Sequence, residues 1–67
     1  MLVQINGKPL ELSNEVSLLA WIEEQKIPPG TAIIEYNGEI LPQDRWKATF
    51  LKDGDQLEVL KFVGGGR

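Results

Sequence analysis

The sequence contains no cysteine and no histidine. The first absence excludes disulfides, thiolate zinc sites and thiol nucleophiles, and the second excludes imidazole bases. Most enzyme mechanisms are thereby excluded. Without disulfides or a metal, a chain of 67 residues must be stabilised by its apolar core alone. We therefore expect most Leu, Ile and Val side chains to pack in that core, which leaves little of the chain for an active site.

Long apolar runs and basic stripes are also missing. No run approaches the ~20 residues that span a bilayer, and Met1 leads directly into a strand-like segment instead of a signal sequence. We expect a cytoplasmic protein without membrane association. Seven basic residues against ten acidic residues give a net charge of −3, and no basic stripe with interleaved aromatics occurs, so we predict no nucleic-acid binding. The length predicts one small domain, which we expect to be monomeric when free.

Two Asn-Gly dipeptides predict two β-hairpins. Residues 2–5 and 8–12 flank Asn6-Gly7, and residues 32–36 and 39–41 flank Asn37-Gly38. Asn-Gly is favoured in two-residue type I′ turns because both central positions need a positive φ. Pro9 lacks a backbone N–H, so its strand is expected at an edge of the sheet or with that position facing outward. On the first hairpin, alternation predicts a buried face formed by Val3, Ile5, Leu10 and Leu12.

A helix is predicted between the two hairpins. Ser13-Asn14-Glu15 supplies short oxygen-bearing side chains typical of a helix start, and Pro28-Pro29-Gly30 prevents continuation of the helix. The apolar residues between these signals recur at spacings of three and four, which is typical of a helix that buries one face. The predicted buried stripe consists of Val16, Leu19, Ala20 and Ile22.

The second hairpin is followed by a predicted helical turn and a β-turn. Pro42 ends the strand and precedes residues 43–46, which we expect to form a single helical turn with Trp46 folded inward. Asp53-Gly54-Asp55 reads as a turn before the last strand. Its two carboxylates lack the ligand number of a calcium loop, so no metal site is expected.

The last apolar run, residues 57–63, leads directly into Gly64-Gly65-Gly66 and Arg67. We expect a folded domain over residues 1–63 and a flexible glycine-rich tail over residues 64–67. Glycines permit almost any backbone conformation, so such a tail can thread a narrow passage and present a carboxylate. The tail alone is equally consistent with a frayed end or a cloning remnant.

Alternation along the last strand predicts a surface beside the tail. Leu57 and Val59 fall on one side of the strand, and Leu60 and Phe62 fall on the other. A domain with a single core cannot bury both sides, so we expect Leu60 and Phe62 to be exposed as a docking patch for a protein partner. Exposed apolar residues without any role are the alternative.

The order of elements is strand, strand, helix, strand, strand and strand. A chain of this length has room for one sheet layered with one helix. This is the pattern of an α+β protein with a β-grasp, or ubiquitin-like, fold, in which a mixed sheet of four to five strands packs on one helix. The parallel pairing of first and last strands in that fold is not shown by periodicity.

Several segments together resemble the ThiS family, the sulfur carriers of thiamine biosynthesis. The resemblance covers essentially the whole chain and is most specific over residues 37–46. The segments that carry it are Ile5-Asn6-Gly7-Lys8, Asn37-Gly38-Glu39-Ile40-Leu41-Pro42-Gln43-Asp44-Arg45-Trp46, Asp53-Gly54-Asp55 and Phe62-Val63-Gly64-Gly65-Gly66.

The resemblance implies a carrier that is not itself an enzyme and binds no cofactor. An E1-like adenylyltransferase of the ThiF type would use ATP and magnesium to adenylate the carboxylate of Gly66. Sulfur from a cysteine desulfurase or another donor would convert that carboxylate to a thiocarboxylate. A thiazole synthase of the ThiG type would then accept the sulfur, with Gly64 and Gly65 forming the tail that enters each partner.

Arg67 departs from the family pattern, in which the chain stops at glycine. Three explanations stay open: proteolytic trimming of Arg67, an arginine added during cloning, or another role for the protein. The alternative functions are the small subunit of molybdopterin synthase, a ubiquitin-like protein modifier, and an interaction module with an inert tail. The segment 37–46 favours the thiamine branch.

Overall fold

The computed structural model describes residues 1–62. Two 3₁₀ helices lie between the strands, one over Pro29–Thr31 and one over Gln43–Ala48. Val63 and the predicted tail lie outside the described residues, so the domain boundary at residue 63 stays a prediction. The other elements are β1 (Leu2–Ile5), β2 (Lys8–Glu11), α1 (Leu18–Glu24), β3 (Ala32–Tyr36), β4 (Glu39–Leu41) and β5 (Gln56–Lys61).

The five strands form one mixed sheet in the order β2-β1-β5-β3-β4. β1 pairs with β5 in parallel, and the other neighbouring pairs are antiparallel. The predicted α+β class and β-grasp fold are confirmed, including the parallel pairing that periodicity could not show. β5 is the central strand and the last described strand of the chain.

Both predicted hairpin turns are present. The φ angles of Asn6 and Gly7 are 52° and 81°, and those of Asn37 and Gly38 are 51° and 91°. Positive φ at both central positions is the requirement of a type I′ turn. Pro9 lies in β2, which is an edge strand, so its missing N–H leaves no gap in the interior of the sheet.

The predicted start of α1 was wrong. Ser17, and not the segment 13–15, is the N-cap, and its Oγ accepts a hydrogen bond from the N–H of Ala20 at 3.1 Å. The residues before it pair with a distant segment, because the Val16 carbonyl accepts from the N–H of Leu51 at 2.9 Å. Ser17 itself forms an isolated antiparallel bridge with Phe50. Ser17 is extended, with φ of −72° and ψ of 155°, and this tertiary pairing leaves Val16 outside the helix.

The buried stripe of α1 consequently differs from the prediction. Leu18, Trp21 and Ile22 are buried, while Ala20 is exposed. Trp21 and Ile22 follow Leu18, the first residue of the helix, by three and four positions, which places all three on one face. Val16 and Leu19 are only partly buried.

The core lies between α1 and one face of the sheet. Trp46 is buried as predicted, and its indole N–H donates to the Leu41 carbonyl at 3.0 Å. Leu51, in the segment before β5, is also buried, which the sequence pattern did not indicate. The buried apolar residues are Val3, Leu18, Trp21, Ile22, Ala32, Ile34, Trp46, Leu51, Leu57 and Val59.

Asp55, which directly precedes β5, is a buried carboxylate that accepts four hydrogen bonds in addition to its place in the turn. Oδ2 accepts hydrogen bonds from the Tyr36 hydroxyl at 2.7 Å and the Lys52 backbone N–H at 2.8 Å. Oδ1 accepts from the Asn37 side chain and from Lys52 Nζ, each at 3.2 Å. Burial by itself raises the pKa of Asp55, but the hydrogen bonds from Tyr36, Lys52 and Asn37 together outweigh burial and lower that pKa.

We predict that Asp55→Asn lowers the free energy of unfolding by about 1–3 kcal/mol at neutral pH, because buried donors lose a charged acceptor. The folded pKa lies below the ordinary value of 3.8, so the carboxylate's contribution is present above that value. It is lost as the pH falls through the folded pKa. Urea unfolding should therefore show that the difference in free energy of unfolding between the unmodified protein and the Asp55→Asn variant shrinks from about pH 5 to about pH 2.

Glu23→Gln, on the solvent-exposed side of α1, is the matched control and should show no comparable pH-dependent difference. If the free energy of unfolding of Asp55→Asn stays below that of the unmodified protein by a constant amount over this pH range, the role assigned to the charge is contradicted.

Candidate functional site

The described residues end at Phe62, two positions before the predicted tail begins at Gly64. The N–H of Phe62 donates to the Thr31 carbonyl at 3.0 Å, which ties the last described residue to the segment before β3. Gly64, Gly65, Gly66 and Arg67 lie outside the described residues. The roles predicted for the glycines, and the meaning of the arginine, stay predictions.

The two sides of β5 differ in exposure as alternation indicates. Leu57 is 1% exposed and Val59 is 9% exposed, and both face α1. Leu60 is 53% exposed and Phe62 is 47% exposed on the opposite, outer face of the sheet. The expected exposure of Leu60 and Phe62 is observed, and their docking role stays a prediction.

Two further isoleucines extend this apolar surface. Ile33 is the residue directly opposite Leu60 in the β3–β5 pairing, and it is 41% exposed. Ile40, in β4, is 67% exposed and lies on the same face, diagonal to Ile33. We call Ile33, Ile40, Leu60 and Phe62 the outer-face patch.

The sequence analysis missed both isoleucines. In β3, Ala32 and Ile34 take the buried positions, so strict alternation assigns Ile33 to the outer face. That signal was available. The sequence did not indicate that Ile33 lies opposite Leu60, because this requires the register between two strands about 27 residues apart in sequence.

Two acidic residues border the outer-face patch. Glu35 and Glu58 are directly opposite each other in the β3–β5 pairing, and Ile40 is the β4 partner of Glu35. Like charges directly opposite on neighbouring strands are destabilising. Within residues 1–62, neither glutamate takes part in a salt bridge. The outer face thus combines an apolar surface near the tail with negative charge beside it.

The most evident surface feature of the described residues is the exposed apolar outer-face patch. Residues 1–62 contain no group of three or more acidic side chains arranged to hold a metal ion. In the same part of the chain, no helix has the length and apolar character needed to cross a membrane. A contiguous apolar surface of this kind is typical of contact with another protein.

The topology and the exposed apolar sheet face are those of a ubiquitin-like β-grasp protein. Comparison with known proteins narrows this class, because the model of the ThiS family matches residues 3–66. The chain therefore belongs to the ThiS family of sulfur carrier proteins.

Individual relatives are consistent with this family. The chain is 33% identical to the sulfur carrier protein ThiS of Bacillus subtilis, over 97% of this chain and 100% of that protein. It is 32% identical to a segment of a thiazole synthase of Paramagnetospirillum magneticum, over 98% of this chain but only 20% of that protein. The crystal structure of the thiamine biosynthesis protein ThiS from Geobacter metallireducens is similar, with a TM-score of 0.82, 33% identity, and coverage of 98% of this chain and 100% of that chain.

We predict that Leu60→Glu weakens binding to the activating enzyme implied by the family resemblance by tenfold or more, about 1.4 kcal/mol. The change introduces a charge into the centre of the outer-face patch. Since Leu60 is half-exposed, the free energy of unfolding should change by only about 0.5 kcal/mol. Calorimetric titration and urea unfolding measure the two quantities.

Leu2→Glu is the matched control. Leu2 is 45% exposed and lies on the same face, but its carbonyl accepts from the N–H of Gly54 at 2.8 Å, at the opposite end of the sheet from Phe62. Equal loss of binding in both variants would show that the outer-face patch has no specific role.

Proposed function

We propose that this protein carries sulfur for the thiazole ring of thiamine as a thiocarboxylate on Gly66. The observation that carries the proposal is the match of the ThiS family to residues 3–66, which ends at that glycine and one residue before Arg67. Removal of Arg67 by hydrolysis of the Gly66–Arg67 peptide bond would produce the required carboxylate.

The chemistry then proceeds in two steps on an activating partner. The Gly66 carboxylate attacks the α-phosphorus of ATP, with magnesium as the counter-ion, and pyrophosphate leaves. Hydrosulfide, released by a thiol reductant where the donor carries the sulfur as a persulfide, attacks the carbonyl of the resulting acyl adenylate, and AMP leaves, which gives the thiocarboxylate. Activation is needed because a free carboxylate would have to expel oxide, whereas the mixed anhydride expels a stabilised phosphate.

Neither step needs a catalytic side chain on the carrier. The absence of such a need agrees with a chain that has no cysteine and no histidine. It also agrees with the described residues, whose most evident functional feature is the outer-face patch next to the start of the tail. The folded part of the protein would bind the partner, and the tail would reach the partner's active site.

The proposed partners are an E1-like ThiF-type adenylyltransferase, a cysteine desulfurase or another sulfur donor, and a ThiG-type thiazole synthase. Support for the last comes from the Paramagnetospirillum thiazole synthase, which includes a segment similar to this chain. The carrier and the sulfur acceptor that we propose therefore have counterparts within one polypeptide.

We predict that the variant ending at Gly66, incubated with ATP, magnesium, a ThiF-type enzyme and a sulfur source, gains the mass of one oxygen-to-sulfur exchange. Intact mass spectrometry measures this change, and fragmentation should place it on Gly66. The full chain with Arg67 should remain unmodified, because its Gly66 carbonyl is held in a peptide bond.

Leu60→Glu in the variant ending at Gly66 provides a second control, since it retains the reactive glycine while altering the outer-face patch. A conjugate with a lysine of another protein would indicate a protein modifier instead. No mass change in the variant ending at Gly66 would contradict the carrier function.

A further inference from the structure

Asparagine is followed by glycine at both hairpin turns, Asn6-Gly7 and Asn37-Gly38. In this sequence the glycine nitrogen can attack the carbonyl carbon of the asparagine side chain, because glycine has no Cβ to hinder the approach. The N–Cγ bond forms, the Cγ–Nδ2 bond breaks and ammonia leaves. Water then opens the resulting succinimide to aspartate or isoaspartate. Both turns therefore have the chemistry for deamidation.

In the folded protein both asparagine carboxamides are bound to β5 or to the residue before it. Asn6 Oδ1 accepts from the Val59 N–H at 2.7 Å, and Asn6 Nδ2 donates to the Val59 carbonyl at 3.4 Å. Asn37 Oδ1 accepts from the Gln56 N–H at 2.8 Å, and Asn37 Nδ2 donates to Asp55 Oδ1 at 3.2 Å. Closing the succinimide ring draws Cγ onto the glycine nitrogen and pulls the carboxamide away from these partners. Cyclisation at either turn therefore requires a local opening of that turn away from β5.

An aspartate formed at position 37 would meet a second carboxylate. Asp55 is 2% exposed. Although burial raises the pKa of Asp55, its hydrogen bonds lower that pKa overall, so the group is ionised at neutral pH. Deamidation would replace the donor Nδ2 of Asn37, 3.2 Å from Asp55 Oδ1, by an anionic oxygen. Within residues 1–62, Asp55 has one salt bridge, to Lys52, so two carboxylates would share one ammonium group.

The partner of the corresponding atom at position 6 is neutral. Asn6 Nδ2 donates to the Val59 carbonyl, and at 3.4 Å this hydrogen bond is long. An aspartate at position 6 would keep the acceptor for the Val59 N–H and lose only the long bond. The two turns thus share a reactive sequence and differ in what the product costs.

We propose that Asn37 is a deamidation site that acts as a one-way conformational switch. The closed structure prevents cyclisation, and local opening of the β3–β4 turn away from β5 permits it. The aspartate that forms then opposes reclosure through repulsion from Asp55. Deamidation therefore marks molecules that have opened at this turn and leaves them less stable. The inference does not rest on the proposed sulfur-carrier function.

The first test is incubation of the full chain in mildly alkaline buffer, with and without deionised urea above its unfolding transition. Peptide mapping by mass spectrometry measures the exchange of NH for O at each asparagine. Folding should slow deamidation of Asn37 at least about tenfold, because only molecules with an open turn react. Asn14, which precedes Glu15 and not glycine, is the internal reference and should react more slowly than Asn37 in urea. Equal rates at Asn37 in folded and unfolded protein would overturn the proposal.

The second test introduces the products as substitutions and measures urea unfolding at neutral pH. Asn37→Asp should raise the equilibrium constant of unfolding by about tenfold or more. Asn6→Asp is the matched control and should raise it by less than about threefold. The double variant Asn37→Asp, Asp55→Asn lacks the second charge, so its loss should be smaller than the sum of the two single losses.

Equal losses in Asn37→Asp and Asn6→Asp, or additive losses in the double variant, would contradict the repulsion assigned to positions 37 and 55. If Asn37→Asp does not fold at all, the double variant decides. Recovery of folding in the double variant would support the proposal, and failure to fold would contradict it.

Discussion

The placement of strand β5 between β1 and β3 is the constraint on which the two faces of the sheet depend, and the side chains of the two hairpin asparagines reinforce its backbone pairing. Backbone pairing of β1 with β5 covers only two register positions. Beyond them, Asn6 Oδ1 accepts from the Val59 N–H at 2.7 Å, and Asn6 Nδ2 donates to the Val59 carbonyl at 3.4 Å. On the other side, Asn37 Oδ1 accepts from the Gln56 N–H at 2.8 Å. Residues that form the turns thus also fix the central strand.

A single strand therefore supports two different surfaces. Its inward positions contribute Leu57 and Val59 to the core, while its outward positions contribute Leu60 and Phe62 to the outer-face patch. Because successive residues of a strand point to opposite faces, a substitution at an outward position of β5 changes the outer-face patch without removing a side chain from the core.

Local signals predicted most of the fold, and long-range pairings account for the differences. Asn-Gly turns, alternation in β5 and the inward Trp46 were readable from the sequence because they depend on neighbouring residues. The start of α1 was misread because the pairing of Val16 with Leu51 overrides a plausible cap. The buried carboxylate of Asp55 depends on partners up to 19 residues away in sequence. The position of Ile33 opposite Leu60 likewise requires the assembled sheet, and the roles of the tail residues were assigned only through family resemblance.

The position of β5 between two neighbours has a mechanical consequence for a protein held by its end. A pull on Phe62 along the strand acts across the hydrogen bonds to β1 and β3, so these bonds bear the force together. A terminal strand at an edge could instead be peeled away one bond at a time. An enzyme that grips the chain beyond residue 62 would therefore pull on a folded body that resists unravelling.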